Sequence, residues 1–270
     1  MSTFAVAQIA GTKTMSEFNT PPIATTKGTT YELVTTPLTD PFGQDIRKPL
    51  RDAIGTDPIL LEGQSLPNCA DCGQPMVCFL QFDIREEFGT GLIPGSHVVV
   101  MNCVEEGCGG ELPPDEYSDL TTEVGSTYPQ AVRGPSAIWI NKPDQKEHVV
   151  PCRKVVRPYR VDFQKKTETI ESSPYLEQER RFSQLETNKV GGVASWINYD
   201  VRVPCPCGGM ICYFAQLMLE SASPFFDLRH PIVGHGDYYH LADLYLSNNL
   251  FLLACDRQCR PQSVVVVYDN

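Results

Sequence analysis

Residues 69–82 read CADCGQPMVCFLQF, and residues 205–217 read CPCGGMICYFAQL. When one-residue deletions are allowed, both stretches contain a pair of cysteines, an apolar run with a further cysteine, and a glutamine. The matched positions are Cys69 with Cys205, Cys72 with Cys207, Cys78 with Cys212, and Gln81 with Gln216. We interpret the two stretches as copies of one module.

The segments that follow the two copies also resemble each other. The first is HVVVMNCVEEGC, residues 97–108, and the second is NLFLLACDRQC, residues 249–259. In both, an apolar run typical of a strand ends in one cysteine, and a second cysteine follows a few residues later. Each half of the chain therefore reads as a cysteine pair, a strand, a loop, a strand and a second cysteine pair.

Short runs of β-branched and aromatic residues between turn residues predict further strands. The predicted strands are Met76–Asp83, His97–Cys103, Ala137–Ile140, Met210–Leu217, Leu250–Cys255 and Ser263–Tyr268. The first sixty residues, with TPPIATTKGTT and TTPLTDP, look rich in loops. The polar and charged segment 166–188 predicts a helix or a linker. We expect an α+β fold, mainly antiparallel sheet, with two related halves at 1–165 and 189–270.

Four cysteines in two short hairpins are the ligand set of a structural zinc site, because zinc prefers a tetrahedron of soft or borderline ligands. Two such sets are predicted, and the second is tighter by one residue in each pair. The alternative for either set is four reduced, half-buried cysteines without a metal. The first set is Cys69, Cys72, Cys103 and Cys108, and the second is Cys205, Cys207, Cys255 and Cys259.

Familiar catalytic motifs are absent from the sequence, which has no GxxxxGK[ST], GxGxxG, GxSxG or HExxH pattern. We therefore expect no enzymatic activity. Cys78 and Cys212 lie in strand runs and are expected in the core. Two weaker alternatives remain, a cysteine nucleophile at Cys152 near His148 and a polar site in a histidine-rich loop. The histidines of that loop are His230, His235 and His240.

Charge further limits the classes of partner. The 270-residue chain has a formal net charge of −11, which disfavours nonspecific attraction to nucleic acid or to anionic membranes. The sequence has no apolar run of about 18 residues and no export signal at its amino terminus. We therefore expect a soluble, cytoplasmic protein, and reduced cysteines follow from that compartment.

The acidic excess lies entirely in the first half of the chain. Residues 1–150 hold nine basic and twenty acidic side chains, whereas residues 151–270 hold thirteen of each. One stretch without lysine or arginine is a candidate surface for a basic partner, although a solvated loop that only aids solubility is the alternative. Its acidic residues are Glu105, Glu106, Glu111, Asp115, Glu116, Asp119 and Glu123.

The segment KVGGVASWI, residues 189–197, precedes the second cysteine module and a closing strand. This arrangement resembles the bacterial YwqG-like domain-of-unknown-function family, over residues 189–270 and more weakly over 69–108. The family looks distantly related to the eukaryotic programmed-cell-death-protein-two proteins, which act as chaperones of ribosomal proteins. Members of the bacterial family often look like immunity proteins encoded beside antibacterial toxins.

The resemblance implies a protein that binds and neutralises a cognate toxin, such as a nuclease effector, by covering its active or nucleic-acid-binding site. The acidic first half fits this expectation, because nucleases that grip phosphate are basic. The alternative is a zinc-stabilised chaperone or adaptor for a basic client such as a ribosomal protein. In either case the expected partner is a protein, and direct contact with nucleic acid or membrane is not expected.

Overall fold

A computed structural model describes the chain over most of its predicted modules. The described residues are 24–40, 43–44, 46, 48–105, 108, 132–133, 136–154, 156–173, 180–183, 187–195, 203–217, 249–261 and 264–269.

Antiparallel strands make up nearly all of the regular structure. In the first half they are β1 (Ala24–Pro37), β2 (Ala53–Ile54), β3 (Ile59–Leu61), β4 (Val77–Asp83), β5 (His97–Asn102), β6 (Val132–Arg133), β7 (Ser136–Asn141) and β8 (Glu147–Val149). In the second half they are β9 (Tyr159–Ser173), β10 (Arg180–Ser183), β11 (Lys189–Val190), β12 (Val203–Pro204), β13 (Met210–Leu217), β14 (Asn249–Cys255) and β15 (Val264–Asp269).

The expected mainly antiparallel sheet is confirmed, but the α part of the α+β expectation is not. Within the described ranges the only helical element is one 3₁₀ turn at Glu86–Phe88. The predicted helix or linker at 166–188 is wrong wherever that segment is described, because 166–173 belong to β9 and 180–183 form β10. The predicted end of the first half at residue 165 therefore falls inside a strand.

The prediction of loops in the first sixty residues is also wrong for β1. This strand of fourteen residues is rich in threonine and pairs along its whole length with β9. The six strands predicted around the cysteine modules are confirmed, with ends that differ by no more than one residue. The strands that were missed are the two long polar ones, β1 and β9, which lack an apolar run, and seven strands of only two to four residues.

The two halves exchange their long strands. One sheet has the order β15-β14-β13-β11-β1-β9-β2-β4-β5-β7-β6. In addition, β10 pairs with β9, and β12 pairs with β13. First-half strand β1 therefore lies beside β11 of the second half, and β9 of the second half lies beside β2 of the first. The antiparallel β1–β9 pair is the centre of an approximate two-fold relation between the halves.

The halves also pack face to face. One apolar cluster draws on both, with Phe79, Phe82 and Val100 from the first half and Phe214 and Leu252 from the second. The far ends of the sheet approach each other, because the Ile140 amide of β7 donates to the Pro261 carbonyl just before β15, at 2.9 Å. The central core is therefore shared by both modules.

Each half has a further apolar cluster on its outer face. In the first half, successive side chains along β4, β5 and β7 point to opposite faces of the sheet. Met76, just before β4, Cys78 and Trp139 point away from the shared core and pack with Leu60 of β3. In the second half, Ile211, Phe251 and Leu253 do the same. Each outer cluster includes cysteines of its own module, so each cysteine group lies at the edge of a separate small core.

The internal repeat is visible in backbone detail. Both β4 and β13 contain a bulge, at Phe79 and at Phe214. The amide of Gly55 donates to the Phe79 carbonyl at 3.1 Å, and the amide of Gly191 donates to the Phe214 carbonyl at 2.8 Å. Because the bulges correspond, Cys78 is equivalent to Tyr213, which corrects the sequence match of Cys78 with Cys212 by one residue.

The repeated glutamines have the same role in both halves. The Gln81 side-chain oxygen accepts from the Ile59 amide at 2.9 Å, and the Gln216 oxygen accepts from the Ser195 amide at 3.0 Å. Both glutamine side chains are fully buried. Gln81 therefore fixes the segment that follows Gly55, and Gln216 the segment that follows Gly191; both glycines have a positive φ. The sequence match of the two glutamines is confirmed.

In the second half a buried ion pair holds that segment as well. Glu168 of β9 accepts from the Lys189 ammonium and the Ser183 hydroxyl, each at 2.7 Å, and from the Val193 amide at 2.9 Å. Both charged side chains are fully excluded from solvent. Burial lowers the pKa of Lys189, and Glu168 opposes that shift. The exchanged strand thus positions residues next to the second module.

Gly191 is a position where the fold depends on the absence of a side chain. Its φ is 73°, and a Cβ there would lie 2.0 Å from the Phe88 carbonyl oxygen of the other half. We expect Gly191→Ala to lower the free energy of unfolding by about 3 kcal/mol or more, because a left-handed backbone and a steric clash add together. Chemical denaturation measures the change.

Gly63→Ala is the matched control, since Gly63 also has a positive φ, 88°, but no atom lies near its Cβ position. It should cost only the backbone term, about 1 kcal/mol. Equal losses in the two variants would contradict the close approach of the halves at Phe88.

Candidate metal centres

The first cysteine group joins a turn to the end of a strand. Cys69 and Cys72 lie in the turn before β4, which is closed by hydrogen bonds from the Cys69 amide to the Gln74 carbonyl and from the Gly73 amide to the Cys69 carbonyl. Cys103 follows β5 directly, and Cys108 lies five residues further on. The four sulfur atoms lie within 4.8 Å of one another.

The second group repeats this arrangement with shorter spacings. Cys205 and Cys207 lie in the turn before β13, where the Gly208 amide donates to the Cys205 carbonyl. Cys255 is the last residue of β14, and Cys259 follows. These four sulfur atoms also lie within 4.8 Å of one another. The missing residue in each pair does not prevent the sulfurs from converging.

The sulfur separations fit a tetrahedron around one ion. Cys72 and Cys103 are 3.6 Å apart, as are Cys205 and Cys259, and Cys207 and Cys255 are 3.5 Å apart. Four sulfurs at about 2.3 Å from a central ion would be about 3.8 Å from one another. A disulfide requires about 2.05 Å. Each group could therefore hold a metal ion, and all eight cysteines predicted as ligands belong to one group or the other.

Backbone amides supply the polar surroundings that thiolates need. The Glu105 amide points at the Cys103 sulfur and the Gly209 amide at the Cys207 sulfur, each at 3.4 Å. The Gly209 contact lowers the pKa of Cys207 to about 7, and the Gln74 amide lowers the pKa of Cys72. Each turn thus presents one thiol that ionises readily.

Four of the other thiols are held in their neutral form until a cation arrives. Burial raises the pKa of Cys103 to about 12 and also raises the pKa values of Cys108, Cys205 and Cys255. A bound cation reverses this preference, because the metal ligand is the thiolate. Metal binding must then release protons and weaken in acid. Four thiolates also leave no coordination position for water, which is the arrangement of structural sites and not of catalytic ones.

Other residues singled out in the sequence lie outside these groups. Cys78 is buried in the outer cluster of the first half, and Cys212 is half-buried on β13. Cys152 is half-buried against the same cluster as Cys78, and its amide donates to the Asp57 carboxylate at 3.0 Å. His148 is exposed on β8. The loop with His230, His235 and His240 lies outside the described residues.

The acidic stretch is described only at its start. Glu105 forms an ion pair with Arg153, so its charge is already compensated within the chain. The other acidic candidates, Glu106, Glu111, Asp115, Glu116, Asp119 and Glu123, lie outside the described residues. The segment that carries all of them except Glu106 begins at ligand Cys108 and leads to β6, which pairs with β7. Both of its ends are therefore attached to the sheet.

A charged network that sequence reasoning missed lies at the opposite end of the β4–β5 pair. His97 on β5 is buried, with its Nδ1 at 2.8 Å from Asp83 and its Nε2 at 3.1 Å from the Gln81 oxygen. Arg51 donates to Asp83 and to Glu147, each at 2.6 Å. The signal that could have revealed this network is the cross-strand pairing of His97 with Asp83. That pairing can be recognised only when the register of β4 and β5 is known. His97 is buried, the charged groups around it are half-buried, and all of them are hydrogen-bonded, so we assign the network a structural role.

Comparison with known proteins adds no identity. A scan against protein-family models found no match, and a search of curated proteins found no relative. Where the chain is described, no helix has the length and apolar character needed to cross a bilayer.

Metal content should follow the two cysteine groups independently. We expect the purified protein to carry two metal ions per chain, and Cys72→Ser and Cys207→Ser each to carry one, because each removes a ligand from a different group. Cys212→Ser, a change at a cysteine outside both groups, should retain two. Elemental analysis against protein concentration measures these values, and loss of both ions in a single variant would contradict independent sites.

The Asp83 carboxylate should contribute to stability in a pH-dependent way. Burial opposes its ionisation, but His97 and Arg51 outweigh it and lower the pKa of Asp83. Its contribution is therefore complete above about pH 4, where an unfolded aspartate is ionised, and is lost as pH falls through the lowered folded value. We expect Asp83→Asn to cost about 2 kcal/mol at pH 7 and progressively less below pH 4.

Asp162→Asn is the control for this prediction, because Asp162 pairs with Arg160 on the exposed surface. Exposed pairs contribute about 0–1 kcal/mol, so this variant should differ little from the wild type at any pH. A constant loss for Asp83→Asn across the acid range would contradict the account of the network.

Proposed function

We propose that the chain is a non-catalytic binding protein, and specifically an immunity protein that binds a cognate antibacterial toxin, a nuclease effector, and covers its active or nucleic-acid-binding site. The resemblance to YwqG-like proteins motivates this proposal. The observation that carries it is the combination of two closed four-cysteine groups with an acidic segment attached at both ends to the frame that they stabilise.

Zinc is the metal that we propose for both groups. Four thiolates in a tetrahedron are the usual set for structural zinc, and zinc has no redox chemistry that would oxidise its ligands. The ions would hold the turn before β4 against the end of β5, and the turn before β13 against the end of β14. Zinc here stabilises the binding surface and takes no part in a reaction.

The distribution of charge along the chain supports a basic protein as the partner. The acidic excess of the chain lies in residues 1–150, and the segment that starts at Cys108 contributes five carboxylates without a lysine or arginine before Val132. A nuclease presents positive charge where it grips phosphate, so an acidic surface can occupy that groove and speed the encounter. Apolar and aromatic contacts would then supply most of the affinity.

The direct test is co-expression with the product of the neighbouring open reading frame. We expect cells to survive that product only when this chain is present, and the two proteins to purify as a stoichiometric complex. Absence of both protection and complex would contradict the immunity proposal. Recovery of a ribosomal protein on the tagged chain would instead favour the alternative, a chaperone or adaptor for a basic client.

Charge reversal in the acidic segment should slow association with the toxin. We expect the variant Glu111→Lys, Asp115→Lys, Glu116→Lys and Asp119→Lys to bind about tenfold or more slowly at low salt, with a flatter dependence of the rate on ionic strength. Glu105 is left unchanged because it already pairs with Arg153. Stopped-flow mixing measures the rate constants.

The control makes the same change in net charge at exposed positions elsewhere, with Glu62, Glu87, Asp144 and Asp162 changed to lysine. A local role for the acidic segment requires the control to slow association much less. If both variants slow it equally, net charge alone acts and the segment has no special role.

A further inference from the structure

The turn between the last two ligands of the second group reaches into the other half of the chain. Gln258 lies between Cys255 and Cys259, and only 3% of its surface is exposed. Its side-chain oxygen accepts a hydrogen bond from the Ile93 amide at 3.0 Å and lies 3.3 Å from the Ser96 hydroxyl. Ile93 and Ser96 belong to the loop between β4 and β5 of the first half.

The backbone at Gln258 adopts a left-handed conformation, which is unfavourable for residues other than glycine. Its φ is 43°, and its amide donates to the Cys255 carbonyl at 2.8 Å. A left-handed residue of this kind is strained and persists only when its surroundings hold it. Because the residues at the two ends of this turn, Cys255 and Cys259, are both candidate ligands, a shared metal ion is the constraint that would hold the turn.

A second contact follows three residues later. The Pro261 carbonyl accepts from the Ile140 amide of β7, also in the first half, at 2.9 Å. Residues 258–261 therefore contact the first half at two places, the β4–β5 loop and the outer side of β7. The Pro261 contact joins the two end regions of the long sheet, and the Gln258 contact reaches the β4–β5 loop. The first cysteine group lies at the opposite end of β4 and β5.

We propose that the second cysteine group is a metal-dependent latch between the two halves. Metal ligation by Cys255 and Cys259 holds the Gln258 turn, and that turn keeps the β4–β5 loop and the outer side of β7 closed against the second half. Loss of this ion releases both contacts while the β1–β9 pair still connects the halves. The inference concerns conformational coupling and is independent of the proposed immunity function.

Hydrogen exchange of the full-length, metal-loaded protein tests the latch through the amides of Ile93 and Ile140. In Cys207→Ser, which loses a ligand of the second group, both amides should exchange about tenfold or more faster than in the wild type. In Cys72→Ser, which loses a ligand of the first group, both should exchange at the wild-type rate. Equal rates at Ile93 and Ile140 in Cys207→Ser and the wild type would overturn the proposal.

Gln258→Gly keeps all eight cysteines and tests the turn even if Cys207→Ser fails to fold. Glycine accepts a φ of 43° without strain, so the side-chain contacts are removed and the turn itself is not disfavoured. We expect this variant to retain two metal ions and to exchange faster at Ile93, with a smaller change at Ile140, whose partner is Pro261. An unchanged rate at Ile93 would show that Gln258 does not close the loop.

Reciprocity supplies an independent measurement. If metal binding holds the latch, opening the latch must weaken metal binding by the same factor. Competition with a chromophoric chelator should therefore show that Gln258→Ala, which keeps the left-handed backbone cost and loses only the side-chain contacts, releases its second-group ion at a lower chelator concentration than the wild type. Identical chelator curves, with intact loading of both groups, would overturn the coupling.

Discussion

Convergence of four sulfur atoms at each group is the constraint on which both modules depend. Sulfurs 3.5–3.6 Å apart would repel one another as thiolates and would gain little as thiols, so a shared cation would favour their approach. Each cation would join a turn before one strand to the end of its neighbour. Each ion would thereby fix the ends of two neighbouring strands relative to each other. The segment 109–131 begins beside the first cysteine group, at Cys108.

Exchange of the long strands makes the two modules interdependent. β1 belongs by sequence to the first half but borders β11, and β9 belongs to the second half but borders β2. The core shared by Phe79 and Phe214 completes the arrangement, because neither module has its inner face covered without the other. A duplicated module has thus become one folding unit, in which contacts such as that of Gln258 can transmit the state of one site to the other half.

The apolar strands and the cysteine groups could be predicted from the sequence because their signals are local. An apolar run that ends in a cysteine indicates both a strand and a ligand, so Met210–Leu217 was predicted with its observed ends. β1 and β9 could not be predicted in this way, because threonine, lysine and glutamate dominate them and their partner lies more than a hundred residues away. The charged composition of 166–188 favoured a helix or linker, and pairing with β1 overrides that preference. Gly55 was also missed as the counterpart of Gly191, because the residues after it differ in type and only the hydrogen bonds are shared.

The central claim, that each cysteine group is a closed four-thiolate metal site, is tested most directly by X-ray absorption spectroscopy of the purified protein at the zinc edge. The account predicts four sulfur ligands per ion at about 2.3 Å and no oxygen or nitrogen ligand. A shell of oxygen or nitrogen at about 2.0 Å would show that an ion has water or another side chain in place of a cysteine, and would contradict the closed sites.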